Sequence, residues 1–520
     1  MSAALLSVFL ACAPSDPGDS KNDDSGPPGG DDTGTPPDPP EGTELASLAL
    51  SQGTLVPAFR PSQHHYSVEA DALEDSLTTI TAVADAEEAT VEIVRTTMDG
   101  AVQETGASPF DAAFGSAERI VVTVTASGES DVYTIVSVPE EFPEIDVRVA
   151  SEDAWDGYLF FGDIPNDGAG PSSQIFILDR AGVPVWFRMV DGPALDFKVN
   201  PNGELTYAAL VDDGGPERFA GFVLDDQYAT VATYEAVDAL SDQREFSILP
   251  DGNAITLAYE MRKVDFSDLD PDCCTLRDSV FQELDPEGNV VFEWRTVDFF
   301  DFFWGDLPKQ RVAHATGEFD YVHLNSVDVD PVDGNWIISS RFTSHVMKVA
   351  RYETEFRGET YEPGEIVWTL GGKGSDWTFV NDERAGGWQG FAEQHDARMP
   401  SPDHVTVYDN SFWDDIGPTG DSRYVEYALD AETMTATKVN EFAVTGAGNT
   451  GICGSAARLP NGSTVIGWGN LRQTYPDAPA VSEVTGDGDV VLEIGFSTDE
   501  LSYRVGAGSW DSKTGWSTPQ

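Results

Sequence analysis

HLNSVDVDPVDGNWIISSR, residues 323–341, decides how this chain folds. VDVDP and NWIISS are alternating, β-rich runs on either side of a Pro-Val-Asp-Gly turn, which is a hairpin signature. Pairing Asp330 with Gly334 fixes a register that sets Asn325 opposite Ser339 and His323 opposite Arg341. Residues two apart share a strand face, and directly opposed side chains have Cβ atoms about 5 Å apart. The reading therefore gathers His323, Asn325 and Arg341 on one small face. An imidazole, an amide and a guanidinium fork suit an anion with several oxygens, such as sulfate or phosphate.

The same hairpin recurs along the chain. NPNGELTY (200–207), LPDGNAIT (249–256), DPVDGNWI (330–337) and LPNGSTVI (459–466) share it, with MPSPDHVTV (399–407) as a variant. Between these copies runs a second unit, Asp-x-x-Gly followed by an apolar strand: LDRAGVPVWF (178–187), LDPEGNVVFEW (284–294) and VTGDGDVVLEI (484–494). YEPGEIVW (361–368), VLDDQYATVATY (223–234) and ALDAETMTATKV (428–439) are looser copies. GYLFFGDI (157–164) supplies the inner strand missing from the first unit. Six alternations of four strands predict an all-β chain whose residues 151–520 form a six-bladed β-propeller. Trp186, Trp294 and Trp368 then pack between strands.

Upstream, residues 44–140 read as a small β-sandwich of short alternating strands. Leu45, Leu48, Leu50, Gly53, Leu55, Pro57, Phe59, Tyr66 and Tyr133 mark its core, and the pattern resembles the cadherin-like sandwich domains of bacterial surface proteins. The His64–His65 pair reads as an exposed loop end. Pro139–Val147 is a proline-punctuated linker. Residues 13–43 are Asp, Gly and Pro with almost nothing apolar, a composition that cannot offset its ordering entropy, and they read as a flexible tether. Residues 1–12 carry a short apolar run ending in Phe9-Leu10-Ala11-Cys12, which predicts a lipoprotein-type signal peptide with Cys12 as the lipidated residue.

The formal charge is −62, with 91 acidic against 29 basic residues. That excludes a nucleic-acid or anionic-membrane surface and suits an extracytoplasmic protein, periplasmic or on the outer surface. Membrane attachment is expected only through the N-terminal lipid. Lipidation of Cys12 leaves Cys273, Cys274 and Cys453, so one stays unpaired or pairs outside the chain; one of the first two could bridge to Cys453 in an oxidising compartment. No metal is expected, since neither C-x-x-C nor matching histidine spacing occurs.

HLNS, SSR, W-x-L-G-G (368–372), QHD (394–396) and DN (409–410) together resemble the bacterial arylsulfate sulfotransferases, from about Ser151 to Gly508. Those enzymes do not use the nucleotide sulfate donor PAPS, so the resemblance implies no cofactor. It implies an aryl sulfate donor, a phenolic acceptor and His395 as the transiently sulfated nucleophile. Arg341 would bind the sulfuryl oxygens. His323 and Asn325 would hydrogen-bond the sulfuryl group and the phenolic oxygen, with His323 as proton donor or acceptor. The family has a further histidine before its L-P-D-G turn; here Asp242-Gln243-Arg244-Glu245-Phe246 puts Arg244 in that place, a group that binds sulfate but shuttles no proton at neutral pH. His314, in the insertion ahead of His323, is a weaker substitute. Gly371 and Gly372 read as tight-turn residues, not as a phosphate loop. Against the sulfotransferase stand two other readings: a non-catalytic surface propeller for binding or adhesion, and a hydrolase that passes the sulfuryl group to water.

Overall fold

The structure is a computed structural model that describes residues 42–73, 77–164, 172–211, 218–263, 275–306, 318–384, 387–413, 417–496 and 501–510. The predicted leader with Cys12, nearly all of the tether, Cys273, Cys274 and His314 lie outside these residues. Cys453 is buried and has no disulfide partner among the described residues. No helix among the described residues is long and apolar enough to cross a membrane.

Residues from Leu45 to Val138 form two facing sheets. Leu45–Leu50, Thr78–Ala84 and Phe110–Ala112 make one; His65–Glu69, Glu129–Val138, Glu118–Ala126, Thr90–Thr97 and Val102–Ala107 make the other. Leu45, Leu48, Tyr66 and Tyr133 are buried between them, while Leu50, Leu55 and Phe59 pack at the margin. Tyr133 ties the layers by donating its hydroxyl to the Pro61 carbonyl at 2.8 Å and accepting the Leu45 N–H at 3.1 Å. The histidine pair is not a free loop end: His65 Nδ1 lies 3.2 Å from Asp179 of the next region. Trp186 adds a second tie, donating Nε1–H to the Met98 carbonyl at 2.9 Å.

From Ile145 to Gly508 the chain makes six successive antiparallel-based sheets of four or five strands. We read each sheet as one propeller blade. Every predicted Pro-x-Gly hairpin joins the two inner strands of a sheet, and every Asp-x-x-Gly unit joins two outer ones. The innermost strands are Ala194–Val199, Leu240–Ile248, Leu324–Val329, His395–Ser401, Ser455–Arg458 and Leu501–Gly508; each contacts the next, and the last contacts the first. Tyr158–Ile164 is therefore not the inner strand of the first sheet. Leu501–Gly508 lies inside it, paired from Tyr158↔Gly508 to Ile164↔Leu501. Nor is all of Pro139–Val147 a linker, because Ile145–Ala150 pairs with Val490–Phe496 at the outer edge of the last sheet. Both chain ends of this region are thus tied into sheets built mostly from distant sequence, which closes the ring with backbone hydrogen bonds.

The ring interior is charged as well as apolar. Asp196 pairs with Lys198 at 2.6 Å, and Asp396 receives both Arg398 at 2.8 Å and Arg504 at 2.6 Å. Arg398 also donates to the Val327 carbonyl at 2.7 Å. Charges taken this far from water must be paired, and breaking one pair strands its partner. Arg398→Met is accordingly expected to lower the unfolding free energy by about 3–5 kcal/mol, read as a fall in the urea midpoint; an unchanged midpoint would show that the network adds nothing.

Candidate active site

Arg244, Asn325 and His395 lie on three of the innermost strands; His323 immediately precedes the second of these, and Arg341 follows the neighbouring strand Trp336–Ser340. The hairpin register differs from the expectation by one residue at its outer end. Asp330 N–H bonds the Asn335 carbonyl at 2.8 Å, so the turn is one residue longer, and Ser326 rather than Asn325 faces Ser339. A bulge at Asn325 absorbs the extra residue. Below it Leu324 pairs with Ser340, and Arg341 N–H meets the His323 carbonyl at 3.1 Å, as the first register required.

Similar irregularities occur on the neighbouring inner strands. Pairing skips from Ser241 to Phe246, from His395 to Arg398, and from Ser502 to Val505. A bulge releases side chains from the alternating ladder and re-aims them, which is why bulges gather at active sites. His323, Glu393 and Asp396 also hold left-handed backbone, with φ of 58°, 51° and 56°, a conformation that costs non-glycine residues about 1–3 kcal/mol and tends to persist where function fixes it.

His395 is 1% exposed, and its Nδ1 is 2.7 Å from Asn410 Oδ1. The Asn410 amide nitrogen donates to the carbonyls of Thr450 at 3.0 Å and Cys453 at 2.9 Å, which fixes the amide orientation. Asn410 Oδ1 can then only accept, so His395 carries its proton on Nδ1 and keeps the Nε2 lone pair. Burial, followed by the charge of Arg341, holds this imidazole well below its ordinary pKa, with Arg504 and His323 adding to the effect. A neutral imidazole with a free Nε2 is a competent nucleophile.

His323 follows the same plan. Its Nδ1 donates to Asp320 Oδ2 at 2.6 Å. Burial, then Arg244, and more weakly Arg341, push its pKa down to about 3 against the pull of Asp320. Burial favours the neutral acid at Asp320, but His323, Arg244 and Arg277 outweigh it and keep the carboxyl well below the usual range. Arg244 is gripped by Asp242 at 2.7 Å and stands 3.9 Å from Asp320. Arg341 pairs with Glu393 at 3.1 Å, donates to the Gly451 carbonyl and lies over the Phe342 ring at 4.8 Å. Asn325 spends an N–H on the Gln394 carbonyl at 2.7 Å, joining the His323 and His395 strands, and its Oδ1 is buried with no partner among the described residues. The amide therefore works partly as the backbone tie that its residue type allows.

Sequence reading missed three residues here. Asn410 sits in the DN pair, yet nothing in the sequence assigns it to His395. Asp320 lies three residues before His323 in an insertion. Tyr503 comes from the closing strand; its ring meets His395 edge-on with centroids 5.2 Å apart, and its buried hydroxyl has no partner among the described residues. Gly372 has φ of 62°, and a Cβ there would lie 2.3 Å from His345 Nε2, so this glycine serves a tight turn as expected.

Lowered histidine pKa values set a pH signature. A group whose charged form is disfavoured by folding stays neutral below its ordinary pKa, so His395 should show no titration step near about 6.5, where a free imidazole has one. The NMR shift of the His395 ring followed against pH checks this; a step near about 6.5 would contradict the buried, Arg341-facing setting of His395.

Among known structures the chain is similar to a quinonprotein alcohol dehydrogenase-like protein (BT1487) from Bacteroides thetaiotaomicron, at 8% identity, 88% coverage of this chain, 99% of the other and TM-score 0.28. It is also similar to the RRP9 WD40 repeats, at 10% identity, 81% and 93% coverage and TM-score 0.32. A Dyadobacter fermentans protein of unknown function matches at 10% identity, 69% and 87% coverage and TM-score 0.33. No curated protein matches. The arylsulfotransferase (ASST) family matches residues 168–505, a span that covers most of the chain and within which the residues described above fall, and the protein belongs to that family.

Proposed function

We propose that the protein transfers a sulfuryl group from an aryl sulfate to a phenol through a sulfated His395, without PAPS. One observation carries this: a buried neutral imidazole, its Nδ1 proton pinned by Asn410 and its Nε2 unpartnered among the described residues, lies within the field of Arg341. His395 Nε2 attacks sulfur. Arg341 and Arg244 stabilise the equatorial oxygens of a loose in-line transfer, as cations do for phosphoryl groups. His323, neutral and oriented by Asp320, accepts a hydrogen bond at Nε2 from the acceptor phenol, and Asn325 offers its Oδ1 alongside. The test is purified protein with p-nitrophenyl sulfate, with and without a phenol. Phenol-dependent nitrophenol release with an aryl sulfate product supports transfer. Equal release without phenol would make it a hydrolase, and no release would reject both.

Arg244 in place of the family's histidine favours a second reading, a non-catalytic surface binder whose ligand binding survives His395→Ala. Either reading suits an acidic chain that we place outside the cytoplasm, held by a lipid on Cys12 and a flexible tether, with the cadherin-like sandwich as spacer.

A further inference from the structure

The proposed chemistry lacks a proton donor. When the S–O bond of an aryl sulfate breaks, the electron pair goes to the aryl oxygen, and a basic phenolate leaves far faster if it is protonated. Neither imidazole has that proton to give: His395 and His323 are neutral, and each commits its one N–H to Asn410 or Asp320. Arg244 and Arg341 are cations that do not deprotonate in proteins. Asp320 is held ionised by His323 and two arginines.

We infer that Tyr503 is the acid and base of this site, giving its phenolic proton to the departing aryl oxygen and taking one back from the acceptor. The inference rests on the transferase reading. Three observations place Tyr503 for this role. Its ring lies edge-on against His395, at 5.2 Å between centroids and 72° between planes. Its hydroxyl is buried, with no hydrogen-bond partner among the described residues, in a residue only 1% exposed, and a buried donor without a partner needs a reason. It lies at the bulge between Ser502 and Val505 on its innermost strand, the same kind of irregularity that holds Arg244, Asn325 and Asp396 on theirs. Burial pushes its phenol above the ordinary range and keeps the proton on in the resting site, while Arg504, Arg244 and Arg341 pull the other way and ease the phenolate that forms once the proton has left.

The step balances. The His395 Nε2 lone pair forms the N–S bond, the S–O bond breaks toward the aryl oxygen, and that oxygen takes the Tyr503 proton. In the return half the acceptor O–H turns from His323 Nε2 to the Tyr503 phenolate, the acceptor oxygen attacks sulfur, the N–S bond breaks back to His395 Nε2, and the O–H proton passes to the Tyr503 oxygen. No other reactant is required. The arrangement also accounts for Arg244: with the proton carried by Tyr503, that position needs only a positive charge.

Tyr503→Phe keeps the ring against His395 and removes only the hydroxyl, so it separates proton transfer from packing. Donors should be compared across leaving groups, from p-nitrophenyl sulfate, whose phenolate is weakly basic, to phenyl sulfate, whose phenolate is strongly basic. The expected result is a loss of about 100-fold in kcat/KM with phenyl sulfate, little change with p-nitrophenyl sulfate, and a steeper dependence on leaving-group basicity. Intact folding is shown by continued sulfuryl labelling of His395 from the nitrophenyl donor. An equal loss for every donor, or no loss for any, overturns the assignment while the transferase reading stands. Wild-type protein that transfers from neither donor overturns that reading and this inference together.

Discussion

His395→Ala should lose phenol-dependent transfer from p-nitrophenyl sulfate by at least about a thousandfold, the scale expected when a covalent nucleophile is removed. The loss should fall on kcat, because the groups that would hold the sulfuryl oxygens are elsewhere: Arg341 is braced by Glu393 and the Gly451 carbonyl, and Arg244 by Asp242. Sulfate or a nonreacting aryl sulfonate should bind the variant about as well as wild type, and mass spectrometry should find one sulfuryl group on the wild-type His395 peptide and none on the variant. Stability should fall as well, since alanine leaves a cavity at a buried position and strands Asn410 Oδ1, the latter alone costing about 1–3 kcal/mol, so rates must be compared well below the melting temperature. Transfer that survives the substitution would exclude a sulfo-histidine. Binding that survives while wild type transfers nothing would favour the adhesion reading.

The parts of this architecture written in local sequence are the parts that hydrophobic alternation and turn chemistry dictate. Asn-Gly, Asp-Gly and Pro-x-Gly turns occur where hairpins need positive φ, so the repeat could be read strand by strand, and His323, Arg341 and His395 emerged on adjoining elements. What stayed hidden has a physical reason in each case. A period of two cannot show a bulge, since an extra residue leaves composition unchanged; hence Asn325 was set opposite Ser339, where Ser326 stands. Ring closure pairs Leu501–Gly508 with Tyr158–Ile164 across most of the chain, and no local signal announces a partner that far away. Tyr503 was lost with that strand. Asp320 and Asn410 were in plain view, but a short polar side chain reads as a turn or a cap until a histidine is found beside it.

Asn410→Leu supplies the sharpest test of how that histidine is prepared. In water a free imidazole distributes its proton between both nitrogens; here Asn410 Oδ1 holds it on Nδ1, because the amide nitrogen is already committed to Thr450 and Cys453. Leucine fills similar space without an acceptor. The imidazole is then free to carry its proton on Nε2, and the lone pair that should meet sulfur is gone. Orienting-residue losses of this kind reach about 10⁴ in kcat where the wrong tautomer results, and a drop of about 10²–10⁴ is expected, with KM for the donor nearly unchanged. Two carbonyls lose their partner as well, which should lower stability by about 1–3 kcal/mol, so rates must be compared well below the melting temperature. Asn410→Asp distinguishes tautomer control from simple damage. Its carboxylate still accepts from Nδ1 but cannot donate to either carbonyl, so it should be at least as destabilised as the leucine variant yet regain about tenfold or more in rate. Its added negative charge raises the His395 pKa, so the ring titration should move up toward the ordinary imidazole range. If both variants lose rate in proportion to stability, Asn410 is only part of the scaffold, and the nucleophile is oriented by something other than the bond at its Nδ1.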